Sequence, residues 1–267
     1  MEDTNLRKIY RQNSSFYGDL VQYYEYFYLS KKNIEDEVAY IMNYLKKIDS
    51  LKNVLDIGCG TGYHDWLLAS KYNFNVKGID ISPDMVAYAQ KYHNGVKNTY
   101  ECCSAQSFQE FKKYQACISL AHVIGYQYDN DALDAMLDRI YENLNDTGLF
   151  LFNFYNMAGV MNSSLKPRKQ EKEFETGRIL RFSNAETDFV SNSLQLYYYY
   201  IIDDNDEREE IEIREKMRFY SDQEMLYHLQ RAGFGEISFF NWRQEDNQEI
   251  RWNRGCICRK CEKGKNK

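Results

Sequence analysis

The sequence predicts an α/β fold: a Rossmann-like, seven-stranded, mostly parallel sheet with helices on both faces, plus an inserted antiparallel β excursion. Three observations predict it. From residue 33 to about 160, short apolar runs alternate with segments of helical period, and such alternation builds a parallel sheet covered on both faces. A run of glycines follows the first of these strands where a helix begins. After Tyr155 the rhythm changes to period-2 segments flanking an acidic turn, the pattern of antiparallel strands.

Each element has its own signal. Ile34, Val38, Ile41, Tyr44, Leu45 and Ile48 recur at helical spacing, which predicts an amphipathic helix. The run Lys52-Asn-Val-Leu-Asp-Ile-Gly reads as a short buried strand, followed by a helix through Trp66, Leu67, Leu68 and Ala69. A strand at 75–79 precedes a helix opened by Ser82-Pro83, an N-cap with proline at the first helical position. Strands are expected near 99–102, 116–121 and 149–154, with a long helix over 130–144. The segments LQLYYYYIID and EIEIREKMRFY flank the turn at 203–208. A helix at 221–232 starts on a serine cap and stops at Gly233. Strands at 236–242 and 256–259 close the reading. The chain thus divides into a tyrosine-rich leader (1–32), a main domain (33–160 and 217–267) and an insertion (161–216).

Composition bounds the function. With 43% hydrophobic and 28% charged residues over 267 positions, the chain reads as globular rather than disordered. A net charge of −6 counts against nucleic acid as partner, since phosphates demand a basic surface. The basic residues Lys166, Arg168, Lys169 and Lys172, and those from 251 to 267, read as solvated faces. No apolar run nears the ~20 residues of a membrane span, and the first ten residues lack an apolar signal core. The expectation is a cytoplasmic protein without a membrane partner. Seven cysteines form an odd set, which argues against a disulfide framework. Cys256, Cys258 and Cys261 lack a second pair or nearby histidine, and Cys256 and Cys258 alternate as one strand face would; no metal is expected.

The chemistry concentrates at Val54-Leu-Asp-Ile-Gly-Cys-Gly-Thr-Gly62, a strand ending in glycines that runs into a helix. In open parallel sheets ligands sit beyond the carboxyl ends of the strands. Gly58, Gly60 and Gly62 remove side chains that would block close approach to the backbone. The spacing is G-x-G-x-G, with Tyr63 where a dinucleotide fingerprint needs its third glycine. Asp56 before the loop suits a ligand ammonium better than a pyrophosphate. Asp80 ends the next strand, where one carboxylate can accept hydrogen bonds from both hydroxyls of a ribose. By itself Asp80 indicates only an adenosine-type ligand.

These residues resemble the class I S-adenosylmethionine-dependent methyltransferases. VLDIGCGTG looks like their first motif and GIDIS, with Asp80, their second; TGLFLFNFY, FYSDQEMLYHLQRAGF and CICRK resemble later strands and the last helix. The resemblance implies S-adenosyl-L-methionine as cofactor, S-adenosyl-L-homocysteine as product, and a cofactor pocket that includes Cys59, His64, Ile81, Met85, Ser104, Ala105 and Leu120. The layout is similar to bacterial sugar N-methyltransferases, through the tyrosine-rich leader, the Tyr63-His64 pair and the antiparallel insertion. In that family the leader folds over the cofactor. This implicates Tyr17 and Tyr24, whose ring faces suit a sulfonium, and suggests that residues 12–30 form a lid. The insertion there carries the acceptor and dimer-forming sheet, which leaves room for a homodimer. Ser104-Ala105 departs from that family's acid-small pair, and His122 and Tyr126 depart from its small polar residue and histidine.

The expected reaction moves a methyl group onto a small-molecule acceptor, a sugar or surface-glycan precursor, on nitrogen or oxygen. His122, at the carboxyl end of the fourth strand, is the expected general base. Tyr126, Asn153 and Tyr155 are expected in the acceptor pocket. His93 and His228 look exposed on helices and receive no role. Methylation of RNA or protein, and a non-catalytic cofactor-binding module, remain alternatives.

Overall fold

The computed structural model describes residues 7–11, 17–18, 20–28, 31–48, 51–163, 165–205, 207–244 and 250–261. The chain begins with β1 (Arg7–Arg11), α1 (Val21–Tyr28) and α2 (Lys31–Leu45). It continues through β2 (Asn53–Ile57), α3 (Tyr63–Tyr72), β3 (Asn75–Asp80), α4 (Pro83–Tyr92), β4 (Asn98–Cys102) and β5 (Tyr114–Ser119). A 3-10 turn (Val123–Tyr126) then leads to α5 (Asn130–Asn143), β6 (Leu144–Tyr155) and α6 (Met157–Met161). Four long strands follow: β7 (Arg168–Phe174), β8 (Gly177–Asp188), β9 (Ser193–Asp204) and β10 (Glu207–Arg218). The last elements are α7 (Asp222–Ala232), β11 (Phe234–Asn241) and β12 (Asn253–Lys260).

The main sheet has seven strands in the order β11-β12-β6-β5-β2-β3-β4. β2 to β6 run parallel, while β12 is antiparallel to β6 and β11 to β12. The central strands β2, β5 and β6 are covered on both faces and are apolar on both, while the edge strand β4 leaves Thr99 and Glu101 exposed. On one face Ile34, Val38, Ile41 and Leu45 of α2, all at most 2% exposed, pack on Val54, Val76, Ala116 and Ile118. On the other, Leu133, Met136, Leu137 and Ile140 of α5 pack on Leu55, Ile57, Cys117 and Phe150. Each such side chain contributes roughly 1.5–3 kcal/mol by leaving water.

A second, five-stranded sheet has the order β1-β10-β9-β8-β7. β7 to β10 are antiparallel, as the period-2 segments require, but β1 lies parallel on β10. The leader was expected as a separate lid; Arg7–Arg11 is instead an edge strand of the second sheet. α1 then packs against α4 and β7, and Leu20 and Tyr23 enter an apolar cluster with Ile179, Tyr200, Ile202, Ile211 and Ile213. Of the expected lid, residues 1–6, 12–16, 19 and 29–30 lie outside the described residues, as do 262–267 of the basic tail.

Two histidines differ from expectation. His228 is 3% exposed because it shares the inward face of α7 with Met225, Leu229 and Ala232; its Nδ1 lies 2.6 Å from Asp134 Oδ1. His93, the C-cap of α4, folds under the glycine loop, with Nδ1 2.7 Å from Thr61 O. Cys256 and Cys258 are fully buried on the core face of β12, and all seven cysteines are free thiols.

Beneath the glycine loop lies a pair of buried acids, Asp56 on β2 and Asp65 in the first turn of α3, 3% and 0% exposed. Gly78 makes room for them: a Cβ there would lie 2.3 Å from Asp65 Oδ2. Among the described residues Asp56 Oδ1 and both Asp65 oxygens are buried without a hydrogen-bond partner, and two carboxyls so close and so dry favour holding a proton between them. Burial and the neighbouring charge push Asp65 well above the usual range, and burial pushes Asp56 up to about 6. A folded value above the unfolded one, near 3.9, means that stability is full below pH ~4 and is lost as pH rises toward 6. Asp65→Asn keeps a donor to Asp56 and needs no proton. The variant is expected to be more stable than the parent by about 1–3 kcal/mol above pH 6 and little changed near pH 4. Thermal melts across this range check it; curves that run parallel at every pH would show that the pair carries no such penalty.

Candidate cofactor and acceptor site

β3 lies on one side of β2 and β5 on the other, so the chain reverses its direction of winding at the carboxyl end of β2. A crevice opens at such a switch point. The loop leaving β2 is held by β3: Gly58 and Cys59 N–H both donate to Ile79 O, at 2.8 and 3.0 Å. Gly60 N–H donates to Asp80 Oδ2 and Ser82 N–H to Asp80 Oδ1, each at 2.9 Å. Asp80 is thereby fixed by two backbone donors, and each carboxylate oxygen keeps a lone pair for a ligand hydroxyl. The loop glycines have φ of 77, 53 and 77° at 58, 60 and 62, values that L side chains resist. A Cβ on Gly62 would lie 2.6 Å from the Tyr100 ring, whereas one on Gly60 would meet nothing within 4 Å. Gly62 serves packing; Gly60 faces open space.

That space is a cavity of ≈ 1430 Å³, larger than the roughly 300–1,000 Å³ that takes one small ligand. Gly58, Gly60, Asp80, Ile81, Ser104 and Ala105 line one end. Tyr17, Tyr24, His122, Tyr126 and Tyr155 line the cavity as well, and Arg181, Arg214, Glu215 and Lys216 wall it from the second sheet. The open face at Gly60, the two-oxygen acceptor at Asp80 and the aromatic lining fit an adenosine with a sulfonium arm. Lys166 and Arg168, expected as a solvated face, are exposed and also border the cavity.

Other expected residues stand behind this lining. Met85 and Leu120 are 0% and 5% exposed core residues, and Cys59 packs with Val86, Ala89 and Tyr100. Asp56 and Gly62 support the loop from behind. His64 turns to Glu37, Nε2 to Oε2 at 3.1 Å, and Trp242 Nε1 donates to the other Glu37 oxygen at 2.9 Å. These partners outweigh burial and hold the Glu37 carboxyl down at about 2. His64 thus joins α3 to α2 rather than facing the cavity.

His122 differs most from expectation. Its ring stacks on Tyr155 at 4.1 Å and 8°. Its backbone N–H donates to Asn153 Oδ1 at 3.1 Å, so Asn153 Nδ2 is the donor to Asn253 Oδ1, also at 3.1 Å. Asn253 Oδ1, an acceptor, lies 3.1 Å from His122 Nε2, which assigns the proton to Nε2. Desolvation lowers the histidine to about 4. This ring, held between Asn253 and Tyr155, lines the cavity with Nε2 engaged and its charged form disfavoured by burial. Asn153 is a strut rather than a lining residue.

Tyr126, by contrast, heads a chain of hydroxyls. Its OH donates to Glu215 Oε2 at 2.6 Å and shares a short hydrogen bond with Tyr17 OH. Tyr17 O accepts from Ser82 Oγ at 2.8 Å, so the leader spans from the β3–α4 loop to the second sheet. Sequence reasoning missed Glu215, Trp252 and Asn253. Glu215 had a signal: it interrupts the inward stripe Ile211, Ile213, Met217 of an otherwise alternating strand. Trp252 and Asn253, before and at the start of a late strand, had none.

Comparison with known proteins agrees with this geometry. Residues 54–148 match the family model described as a methyltransferase domain. A malonyl-[acyl-carrier protein] O-methyltransferase of Acetivibrio thermocellus is 28% identical over 140 residues, 50% of this chain and 47% of the relative. The chain spans about half the length of the curated relatives it matches. Among solved structures, a sugar N-methyltransferase from Streptoalloteichus sp. superposes with a TM-score of 0.76 at 16% identity, covering 94% of this chain and 98% of that one. An amino pentose methyltransferase from Micromonospora echinaspora, bound to its cofactor, gives 0.73 at 15% identity, over 94% of this chain and 100% of the other. Residues 54–148 are therefore a methyltransferase domain, and the chain has the fold of the S-adenosylmethionine-dependent methyltransferases.

Proposed function

We propose that the chain moves the methyl group of S-adenosyl-L-methionine onto the amine of a small acceptor, a sugar or surface-glycan precursor, releasing S-adenosyl-L-homocysteine. The observation that carries this reading is one continuous cavity with room for two ligands, a cofactor-type end at Gly60 and Asp80 and an acceptor end walled by the second sheet. The cofactor, when bound, supplies an electrophilic methyl on a sulfonium. Asp80 would hold the ribose hydroxyls, Gly58 and Gly60 admit the backbone-hugging arm, and Tyr17 and Tyr24 close over it. Displacement at a methyl depends on alignment and exclusion of water, and the aromatic walls serve both. A neutral His122 suits an amine, which needs no strong base once unprotonated. The similar fold of sugar N-methyltransferases supports this acceptor class. A second reading, methylation of an acidic acceptor on oxygen, draws support from the cations Lys166, Arg168 and Lys216 on the cavity and from the O-methyltransferase relatives. Outside the cavity, the second sheet carries Phe182, Tyr197 and Tyr199 on a common surface, where a homodimer would form.

An acceptor screen tests the reading: amino sugars, their nucleotide-linked forms, hydroxyl sugars and acidic metabolites, each incubated with cofactor and read by a gain of one methyl mass. Absence of both transfer and cofactor binding would remove it. Asp80→Ala is expected to weaken S-adenosyl-L-homocysteine binding roughly ten- to a hundredfold, through loss of a charged acceptor. Calorimetry on a folded variant checks this, and wild-type affinity would exclude contact between Asp80 and the ribose. His122→Asn is expected to lower turnover on an amine less than about tenfold, far below the 10²–10⁴-fold span for a lost general base. A larger loss accompanied by a vanished limb in the pH–rate profile would restore His122 as the base. Residues 17–28 are expected to gain hydrogen-exchange protection on cofactor binding, as a closing lid does; unchanged exchange would make the leader a fixed wall.

A further inference from the structure

We propose that Glu215 is the anionic post of the acceptor end: it draws in the protonated amine and receives, through the Tyr17 and Tyr126 hydroxyls, the proton that the amine sheds before methylation. The proposal rests on the amine reading above and adds the residue that manages charge and proton.

Glu215 stands on the inward stripe of β10, where its neighbours at two-residue spacing are Ile213 and Met217. Its side chain lines the cavity, and its hydrogen-bond partner is Tyr126. Among the described residues no cation forms an ion pair with it, although Arg214 and Lys216 flank it and Arg181, Lys166 and Arg168 border the same cavity. The groups facing it are Tyr126, Tyr17, Tyr128 and Tyr155, and its partner on β9 is the uncharged Leu196. A carboxylate drawn out of water without a countercharge is costly, and burial raises its pKa accordingly. A cationic ligand offsets that cost. The protonated amine of an acceptor is such a ligand, and it enters the end of the cavity that Glu215 walls.

The hydrogen bonds run one way. Tyr126 gives its only proton to Glu215, so the Tyr17–Tyr126 bond is donated by Tyr17. A proton leaving the ammonium to the Tyr17 hydroxyl oxygen displaces the Tyr17 hydroxyl proton to the Tyr126 hydroxyl and the Tyr126 proton to Glu215. One N–H bond breaks, with its electron pair left on nitrogen, and one O–H bond forms on the carboxylate. The positive and negative charges vanish together, and both tyrosines end neutral. Glu215 returns the proton to water when product leaves. A carboxyl raised toward neutrality is better matched to this task than an ordinary one.

The test uses the full chain saturated with S-adenosyl-L-homocysteine. Calorimetry at pH 7 compares 2-amino-2-deoxyglucose, 3-amino-3-deoxyglucose and 4-amino-4-deoxyglucose with glucose as the uncharged control. At least one amino sugar is expected to bind roughly ten- to a hundredfold more tightly than glucose. Glu215→Gln is expected to abolish that preference, and Glu215→Asp, which keeps the charge, to retain part of it; matched melting temperatures exclude misfolding. Turnover on the preferred amino sugar is expected to fall about 10²-fold or more in Glu215→Gln at pH 7 and to climb about tenfold per pH unit as free amine accumulates. Tyr126→Phe should keep the binding preference and share the pH dependence. The proposal is overturned if no amino sugar outbinds glucose on the parent chain, or if Glu215→Gln keeps the preference. Methyl transfer to any acceptor in the mass-shift screen stands or falls separately.

Discussion

Everything in the cavity depends on how the strand-to-helix loop after β2 is fixed to β3. Two N–H groups of the loop converge on one carbonyl, Ile79 O, and a third meets Asp80. The same carboxylate therefore orders the loop and faces the ligand space. This economy has a condition: the loop must curl with positive φ at three positions, and only glycine takes those angles without strain. Once the curl is set, its underside must be filled. Asp56, Asp65, Tyr100 and His93 fill it, with Asn98 and the Gly62 carbonyl completing the polar contacts of the tyrosine hydroxyl. The buried acids are thus part of the scaffold on which the ligand-facing backbone rests.

The end proposed for the acceptor is made differently. It is assembled from segments far apart in the chain, and no single loop defines it. Tyr17 comes from the leader, Tyr126 from the turn after β5, Glu215 from the second sheet, and Trp252 from the approach to β12. Hydrogen bonds tie the first three together across separations of 109 and 89 residues. Long-range closure of this kind is entropically expensive, and the leader offsets it with apolar contacts: Leu20 and Tyr23 are buried against the second sheet. The leader is consequently both a structural strand donor, through β1, and a wall of the site.

This division explains what was legible in the sequence. The loop side of the cavity is local: Gly58, Gly60 and Asp80 lie at two consecutive strand ends, where a spacing rule can point to them. The fold was legible for the same reason, since alternating elements with short connections leave few topologies. The acceptor end is not local. His122 was placed correctly at a strand end, but its protonation is set by Asn253 and by burial under Tyr155 and Trp252, none of them near it in sequence. His228 looked exposed because helical period, rather than residue type, decides burial; it falls on the stripe of Met225, Leu229 and Ala232. Met85, Leu120 and Cys59 follow the motif in sequence yet face the core, because alternate residues of a covered strand end or the inner face of a helix point away from the crevice.

Two titratable groups on the same cavity are moved in opposite senses, and the difference assigns their work. Burial disfavours charge on both. For His122 that means a lower value, about 4, and a ring that stays neutral at physiological pH. For Glu215 it means a higher value, and so a carboxylate nearer to exchanging protons there. The histidine has its Nε2 proton committed to a side-chain amide; the glutamate holds only the end of a hydroxyl chain. A neutral imidazole stacked on a tyrosine shapes a pocket without adding positive charge to it, which suits the proposed meeting of a sulfonium and an amine. In the proposed reaction Glu215 on the second sheet answers the charge of the ammonium, while Asp80 holds the ribose hydroxyls. The proton that leaves the amine then has an acceptor at the far end of the Tyr17–Tyr126 hydroxyl chain.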